Sequence, residues 1–334
     1  MGGKMNEYGG YLPLEIKKYI GGGYFDKVKN CCELNSARNA IRLAIKKMQC
    51  KKIFLPYYMC PSVYRACENE GIQIFSYHID SKLLPVIDDF MSSELADEKV
   101  CFLMANYFGL ISKKQFLKYY LKCKNLIIDN TQSFFSEPIM DVYNVYSCRK
   151  FFGVSDGAYL IGKSVVDISL EPECSYSHSL YLLKSLDKGT NEAYPEYLKS
   201  EEIISDSVPA GMSKLTRSIL SGIDYKEVVQ KRRNNFEMLH SLLGSKNEFC
   251  FCYNKTMVPM VYPFLISNTK LRSYLITNKI YIPQWWKKCL EIEECNETEQ
   301  KLSEYLLPLP IDQRYTENDM KIIAKTILLF LESF

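Results

Sequence analysis

The sequence predicts an α/β protein built on a mostly parallel, doubly wound sheet, and three observations predict it. The apolar run Lys52–Pro56 stops at a proline and passes through a helical segment at 62–69 and Gly71 into a second run at 72–77. That β–α–β order belongs to such a sheet. Residues 100–105, Val-Cys-Phe-Leu-Met-Ala, are continuously apolar, as a central strand buried on both faces must be. Two further short runs, 126–128 and 142–146, stop on Asp129 and on Ser147, and ligands bind at the carboxyl ends of strands in open α/β sheets.

Composition sets the bounds. A chain of 334 residues is long enough for two domains, and 47% hydrophobic with 24% charged residues is ordinary for a globular protein. A net charge of +3 is too mild to point to nucleic acid or a membrane surface. The 13 cysteines are odd in number and contain no C-x-x-C, and His78, His178 and His240 stand far apart, so neither a disulfide framework nor a metal site is expected. Free thiols in a reducing cytosol are the economical expectation. No charged-then-apolar leader and no long apolar run is read, so the expected location is cytoplasmic, without a membrane span.

In chain order, the glycine-punctuated stretch 8–24 reads as a lead-in rather than one helix. Asn35 or Ser36 is a natural cap for a helix at 40–48, whose free N–H groups would suit a phosphate or simply be capped. Asn106 to Gly109 ends the buried run at a corner where Asn106 either shapes the turn or reaches a ligand. A helix is read at 113–124. Then comes the stretch on which the chain is organised, NLIIDNTQSFFSEPIMDVYNVYSCRKFFGVSDGAYLIGK, residues 125–163. It delivers Asp129 and Lys150 from the ends of two strands, and a glycine-bearing turn at 155–157 leads into a third strand at 158–161. Asp129 would be costly to bury unpaired. Phe151 and Phe152 are expected to desolvate Lys150, lowering its ammonium pKa. An Asp and a Lys so placed are the groups that pyridoxal phosphate requires: the Lys forms a Schiff base, and the Asp pairs with the pyridinium nitrogen so that the ring serves as an electron sink.

Residues 176–186 read as helical, and 186–202 as an excursion from the core. A strong helix follows at 225–243, with Lys231, Arg232 and Arg233 expected on a solvated face. Strand-like segments are read at 258–266 and 280–283, then Trp285 and Trp286, a final strand and turn at 307–315, and a helix at 320–331 capped by 316–319.

These residues together resemble the DegT/DnrJ/EryC1/StrS aminotransferases, fold-type-I pyridoxal phosphate enzymes that mostly aminate nucleotide-linked keto-sugars. The resemblance rests on Asp129 and Gln132 in IIDNTQSF, on Ser147-x-x-Lys150, and on Gly157 in KFFGVSDGA. It extends from Ser36 to the closing Leu-Pro segment. It implies a three-layer αβα large domain, residues 1–225, a smaller α/β C-terminal domain, residues 226–334, and a homodimer. It implies Lys150 and Asp129 as catalytic residues, with cofactor contacts from both and from Gln132, Ser147, Ser36, Ala37, Arg38, Tyr58 and Asn106. Gln132 falls where a residue meets the ring oxygen, Ser147 where one meets the phosphate, and Tyr58 two residues before Cys60, which takes the ring-stacking place. Ser36-Ala37-Arg38 stands where the family has Ser-Gly-Thr, so a hydroxyl is lost and Arg38 either compensates with its charge or points elsewhere. The family's Asn-Tyr-Arg before Met-Ser, which reaches the neighbouring subunit's phosphate, is missing; only Met212-Ser213 matches. The implied function is transfer of an amino group from an amino acid, such as glutamate, to a keto-sugar for surface polysaccharide or glycan biosynthesis. The alternatives are another reaction of the same cofactor, by a lyase or sugar dehydratase, and a non-catalytic binding module.

Overall fold

The architecture was taken from a computed structural model that describes residues 14–17, 22–163, 165 and 168–333. Much of the glycine-punctuated lead-in, 8–13 and 18–21, lies outside the described residues. The first half of the chain alternates as the sequence predicts: β1 (Cys31–Leu34), α1 (Ala37–Met48), β2 (Lys52–Pro56), α2 (Pro61–Glu68), β3 (Gln73–Tyr77), α3 (Asp89–Glu94), β4 (Val100–Ala105), α4 (Lys113–Tyr120), β5 (Asn125–Asp129), β6 (Tyr143–Ser147) and β7 (Ala158–Ile161). These strands form one sheet in the order β1-β7-β6-β5-β4-β2-β3. Strands β2 to β6 pair in parallel, and β7 runs antiparallel to both β6 and β1. All six residues of β4 are buried, the apolar run requiring cover on both faces.

Register places the site. Ala105 pairs with Asp129, and Asp129 with Val145, so the ends of β4, β5 and β6 lie side by side. Because β7 is antiparallel to both neighbours, β1 points the same way as β6. Leu34 pairs with Ala158, which pairs with Ser147, so the start of α1 arrives at that same edge. There Ser36, in an extended conformation, caps α1 by accepting from the Asn39 N–H at 3.3 Å.

The second half is α5 (Leu180–Lys188), α6 (Tyr194–Asp206), α7 (Lys214–Ser221), α8 (Tyr225–Leu243), β8 (Val261–Leu265), α9 (Lys270–Thr277), α10 (Glu297–Tyr305), β9 (Leu306–Pro310) and α11 (Glu317–Glu332). Strands β8 and β9 form a separate antiparallel pair. The boundary drawn at 225/226 falls at the start of α8. One apolar cluster runs from Leu34 and the large sheet through Phe236, Phe264 and Phe330 around the small one. Fully buried Glu299 fastens the two regions. It accepts from the Ile79 N–H at 2.9 Å and closes the capping box of α10 with Asn296.

Four expectations are corrected. Residues 280–283 form no strand, since nothing pairs with them and Pro283 withholds a donor. The excursion at 186–202 holds most of α6, a 13-residue helix with Pro195 in its first turn. Arg232 is not on a solvated face: it is 1% exposed, bonded to Gln313 Oε1 and the Met260 carbonyl, with its guanidinium 4.5 Å from the Phe151 ring. Burial pushes its pKa down to about 10. Phe151 and Phe152 do not cover Lys150. They join Phe134 and Tyr146 in a second aromatic core while the lysine stays exposed.

Candidate active site

At the carboxyl edge of the sheet lies a cavity of about 200 Å³. It is walled by the ends of β4, β5 and β6, the first turn of α1, the loop before α2, and α5, α6 and Trp286. Ser36, Ala37, Arg38, Asn106, Asp129, Gln132, Ser147 and Lys150 all line it, so eight of the nine residues singled out in the sequence meet in one place.

Asp129 sits at its floor, 4% exposed, with Oδ1 accepting from the Thr131 N–H at 2.9 Å. Oδ2 has no hydrogen-bond partner among the described residues and is left for a donor in the cavity. Lys150 follows β6 on a tight turn closed by the Phe151 and Phe152 N–H groups on the Cys148 carbonyl, at 3.0 and 2.9 Å. Its Nζ lies 3.3 Å from Thr131 Oγ1, so Thr131 links the two groups: its amide holds the carboxylate and its hydroxyl accepts from the ammonium. Gln132 Oε1 accepts from the Phe108 N–H at 2.9 Å, which fixes the side chain and leaves its amide N–H groups as donors.

The opposite wall is cationic. Among the described residues the N–H groups of Ala37 and Arg38, at the start of α1, have no acceptor and Ser147 Oγ makes no hydrogen bond. Arg38 Nη1 and Arg149 Nε are buried without a partner among the described residues. Burial first, and the Arg149 guanidinium second, lower the pKa of Arg38. Arg149 Nη2 is paired with Glu201 of α6. A helix start, a free hydroxyl and two guanidiniums with unused donors make a binding surface for a dianion.

One assignment, Tyr58, is corrected by placement, and for Asn106 the geometry favours one of the two readings left open. Tyr58 does not reach the cavity: it is fully buried, its hydroxyl 3.4 Å from the Trp285 carbonyl and its ring edge-on to Trp286. On this loop Met59 and Cys60 turn toward the cavity, and Tyr58 turns into the core. Asn106 borders the cavity, but its side-chain donors go to Asn130 Oδ1 (2.9 Å) and Ser136 Oγ (3.2 Å), and its Oδ1 accepts from the Ile111 N–H (3.3 Å). It shapes the corner. Sequence reasoning passed over Thr131, Arg149, Tyr181, Tyr197 and Glu201, all at the cavity. Arg149 is the one with a signal, as a second cation between Ser147 and Lys150.

No family model matches the sequence, and no curated protein matches it by sequence. Known structures do match. The chain has the fold of the fold-type-I pyridoxal phosphate-dependent aminotransferases, with the mostly parallel seven-stranded sheet at its centre. The sugar aminotransferase CalS13 from Micromonospora echinospora superposes with a TM-score of 0.64 at 11% identity, over 91% of this chain and 88% of that one. A DegT DnrJ EryC1 StrS aminotransferase from Brucella abortus gives 0.62 at 13% identity, over 91% and 86%. Spr1654 from Streptococcus pneumoniae, in its PLP-form, gives 0.64 at 11% identity, over 91% and 87%.

Proposed function

We propose that the protein is a pyridoxal phosphate-dependent aminotransferase that moves an amino group from an amino acid, glutamate in the first instance, to a nucleotide-linked keto-sugar for surface polysaccharide or glycan biosynthesis. The observation that carries this reading is the meeting of Asp129 and Lys150 in one cavity whose far wall is built for a dianion. The residues fit the cofactor at each end. Ser36, Ala37, Arg38 and Ser147 would hold its phosphate, Asp129 Oδ2 would accept from its ring nitrogen, and Gln132 would offer donors to its ring oxygen. When bound, pyridoxal phosphate supplies an electron sink for the bonds at the carbon bearing the amino group.

The chain's own groups do the rest. Asp129, held by Thr131, keeps a negative charge in place at the ring nitrogen's position. Lys150 Nζ would hold the cofactor at its aldehyde end and would carry a proton as general base and then general acid. Thr131 Oγ1 orients that nitrogen toward the cavity floor. Trp286 closes the cavity on the side of the C-terminal region, 226–334, which we take as the smaller domain beside the cofactor-holding region 1–225.

We take the working unit to be a homodimer. Helices α5 and α6 expose Leu180, Leu183, Leu186, Tyr194, Leu198 and Ile203, and the same two helices give Tyr181, Tyr197 and Glu201 to the cavity. A second copy on that face would cover the apolar surface and shut the cavity from water. Among the described residues no helix is long and apolar enough to cross a membrane. The cysteines of the described residues are all free, in keeping with the cytoplasmic location we assign.

The test is a visible absorption spectrum of the protein with pyridoxal phosphate, beside Lys150→Ala, before and after glutamate. The reading expects a visible band that Lys150→Ala lacks and that glutamate bleaches. A Lys150-dependent band that no amino acid changes would move the assignment to another reaction of the same cofactor. A folded protein without a band would refute the enzyme reading.

A further inference from the structure

Arg38 and Arg149 stand out because Arg38 departs from the family's phosphate loop and Arg149 was not read from the sequence as a site residue at all. Arg38 replaces the hydroxyl-bearing residue of the family's phosphate loop, and Arg149 sits between Ser147 and Lys150. The structure brings them to one wall although they are far apart in sequence, one on the first turn of α1 and one on the turn after β6. Each leaves a guanidinium nitrogen buried with no acceptor among the described residues, Nη1 of Arg38 and Nε of Arg149. Buried guanidinium N–H groups without acceptors are costly, and their retention points to a ligand that satisfies them.

The charge on the wall points to an anion. The cavity wall carries three cations, Arg38, Arg149 and Lys150, against two carboxylates, Asp129 and Glu201. Glu201 engages Arg149 Nη2, which fixes that side chain while its Nε stays without a partner among the described residues, and no carboxylate of the described residues is bonded to Arg38. Burial first and the Arg149 guanidinium second lower the pKa of Arg38, and an anion between the two arginines would offset both. Planar guanidinium forks match the tetrahedral oxygens of a phosphate better than any single charge does.

We propose that Arg38 and Arg149 form a clamp on the cofactor phosphate, built from one chain, in place of the Asn-Tyr-Arg segment that this sequence lacks. This rests on the cofactor reading above. Ser36, Ala37 and Ser147 give neutral contacts, the two arginines give the charge, and Glu201 on α6 is a positioning residue for Arg149. Through Glu201 the hold on the phosphate depends on the docking of α6.

The experiment uses Lys150→Ala protein, so that binding is non-covalent, titrated with pyridoxamine phosphate and with pyridoxamine while following the fluorescence of Trp286 and Trp285. The quantity read is the ratio of the two affinities, and circular dichroism confirms folding. The parent protein is expected to prefer the phosphate compound strongly. Arg38→Gln and Arg149→Gln should each cut that preference by about ten- to a hundred-fold, the loss of charge-assisted hydrogen bonds, and leave pyridoxamine affinity unchanged. Arg149→Lys should restore part of it, since charge returns without the fork. A preference left intact in both folded Gln variants, or abolished equally with pyridoxamine binding, overturns the clamp and leaves the cofactor reading standing. A parent protein that binds neither compound refutes the cofactor reading and takes the clamp with it.

Discussion

Replacing Gly157 by alanine should damage both the fold and the site, by an amount the geometry fixes. Gly157 has φ +112°, a conformation that side chains disfavour at about 1–3 kcal/mol. An added Cβ would lie 2.9 Å from Thr216 Cγ2 and 3.2 Å from Cys148 Cβ, both in the packed interior, and such crowding costs about 1–3 kcal/mol more. The expected loss is about 2–6 kcal/mol. Gly71 provides the control, because its φ is +63° and nothing lies within 4 Å of its would-be Cβ, so Gly71→Ala carries only the backbone cost of about 1 kcal/mol. The site suffers as well. The Gly157 N–H donates to the Asn35 carbonyl at 2.7 Å, and its carbonyl accepts from the Cys148 N–H at 3.0 Å, tying the Lys150 turn to the approach of α1. Urea unfolding of both variants, with pyridoxal phosphate titration of each, makes the comparison. A Gly157→Ala protein as stable as Gly71→Ala, with unchanged cofactor affinity, would refute the packing argument.

Asp129→Asn should keep the fold and the phosphate contacts but lower the rate of amino transfer from glutamate by about 10²–10³-fold, read in single-turnover spectra. Tyr58→Phe should leave cofactor affinity unchanged and stability nearly so, because the hydroxyl makes only a 3.4 Å hydrogen bond outside the cavity; a large loss of affinity in a titration would return Tyr58 to the site. His178 is buried with Nε2 unpartnered, and burial lowers its pKa, so the unfolded chain takes up its proton first as pH falls. Stability from this group is therefore complete above the unfolded value of about 6.5 and declines on acidification below it. His178→Gln should flatten that slope in urea melts at stepped pH, and an unchanged slope would assign it to other groups.

The large sheet was legible because its strands are short apolar runs that stop on polar residues. Asp129 and Ser147 were readable for the same reason that they are placed where they are: each is the polar residue on which a buried strand ends. Other features left no local trace. The four-residue strand β1, Cys-Cys-Glu-Leu, gains its ladder from β7, more than a hundred residues on, and a lone bridge from Leu34 to Gly211. Helix α6 buries only Ser200 and Ile204, so no apolar periodicity marks it, although it brings Glu201 to Arg149. Whether Tyr58 or Cys60 turns into the cavity depends on how the loop leaves β2, which spacing alone does not set. Arg232 read as solvent-facing because a basic run ordinarily is; its burial depends on Phe151 and Gln313, remote in sequence.

The most direct test of the central claim is chemical. The protein loaded with pyridoxal phosphate would be reduced with sodium borohydride, digested, and its peptides mapped by mass. A pyridoxyl group on Lys150 alone, and none in Lys150→Ala, is the predicted result. A label spread over surface lysines, or fixed on another lysine, would contradict the site described here.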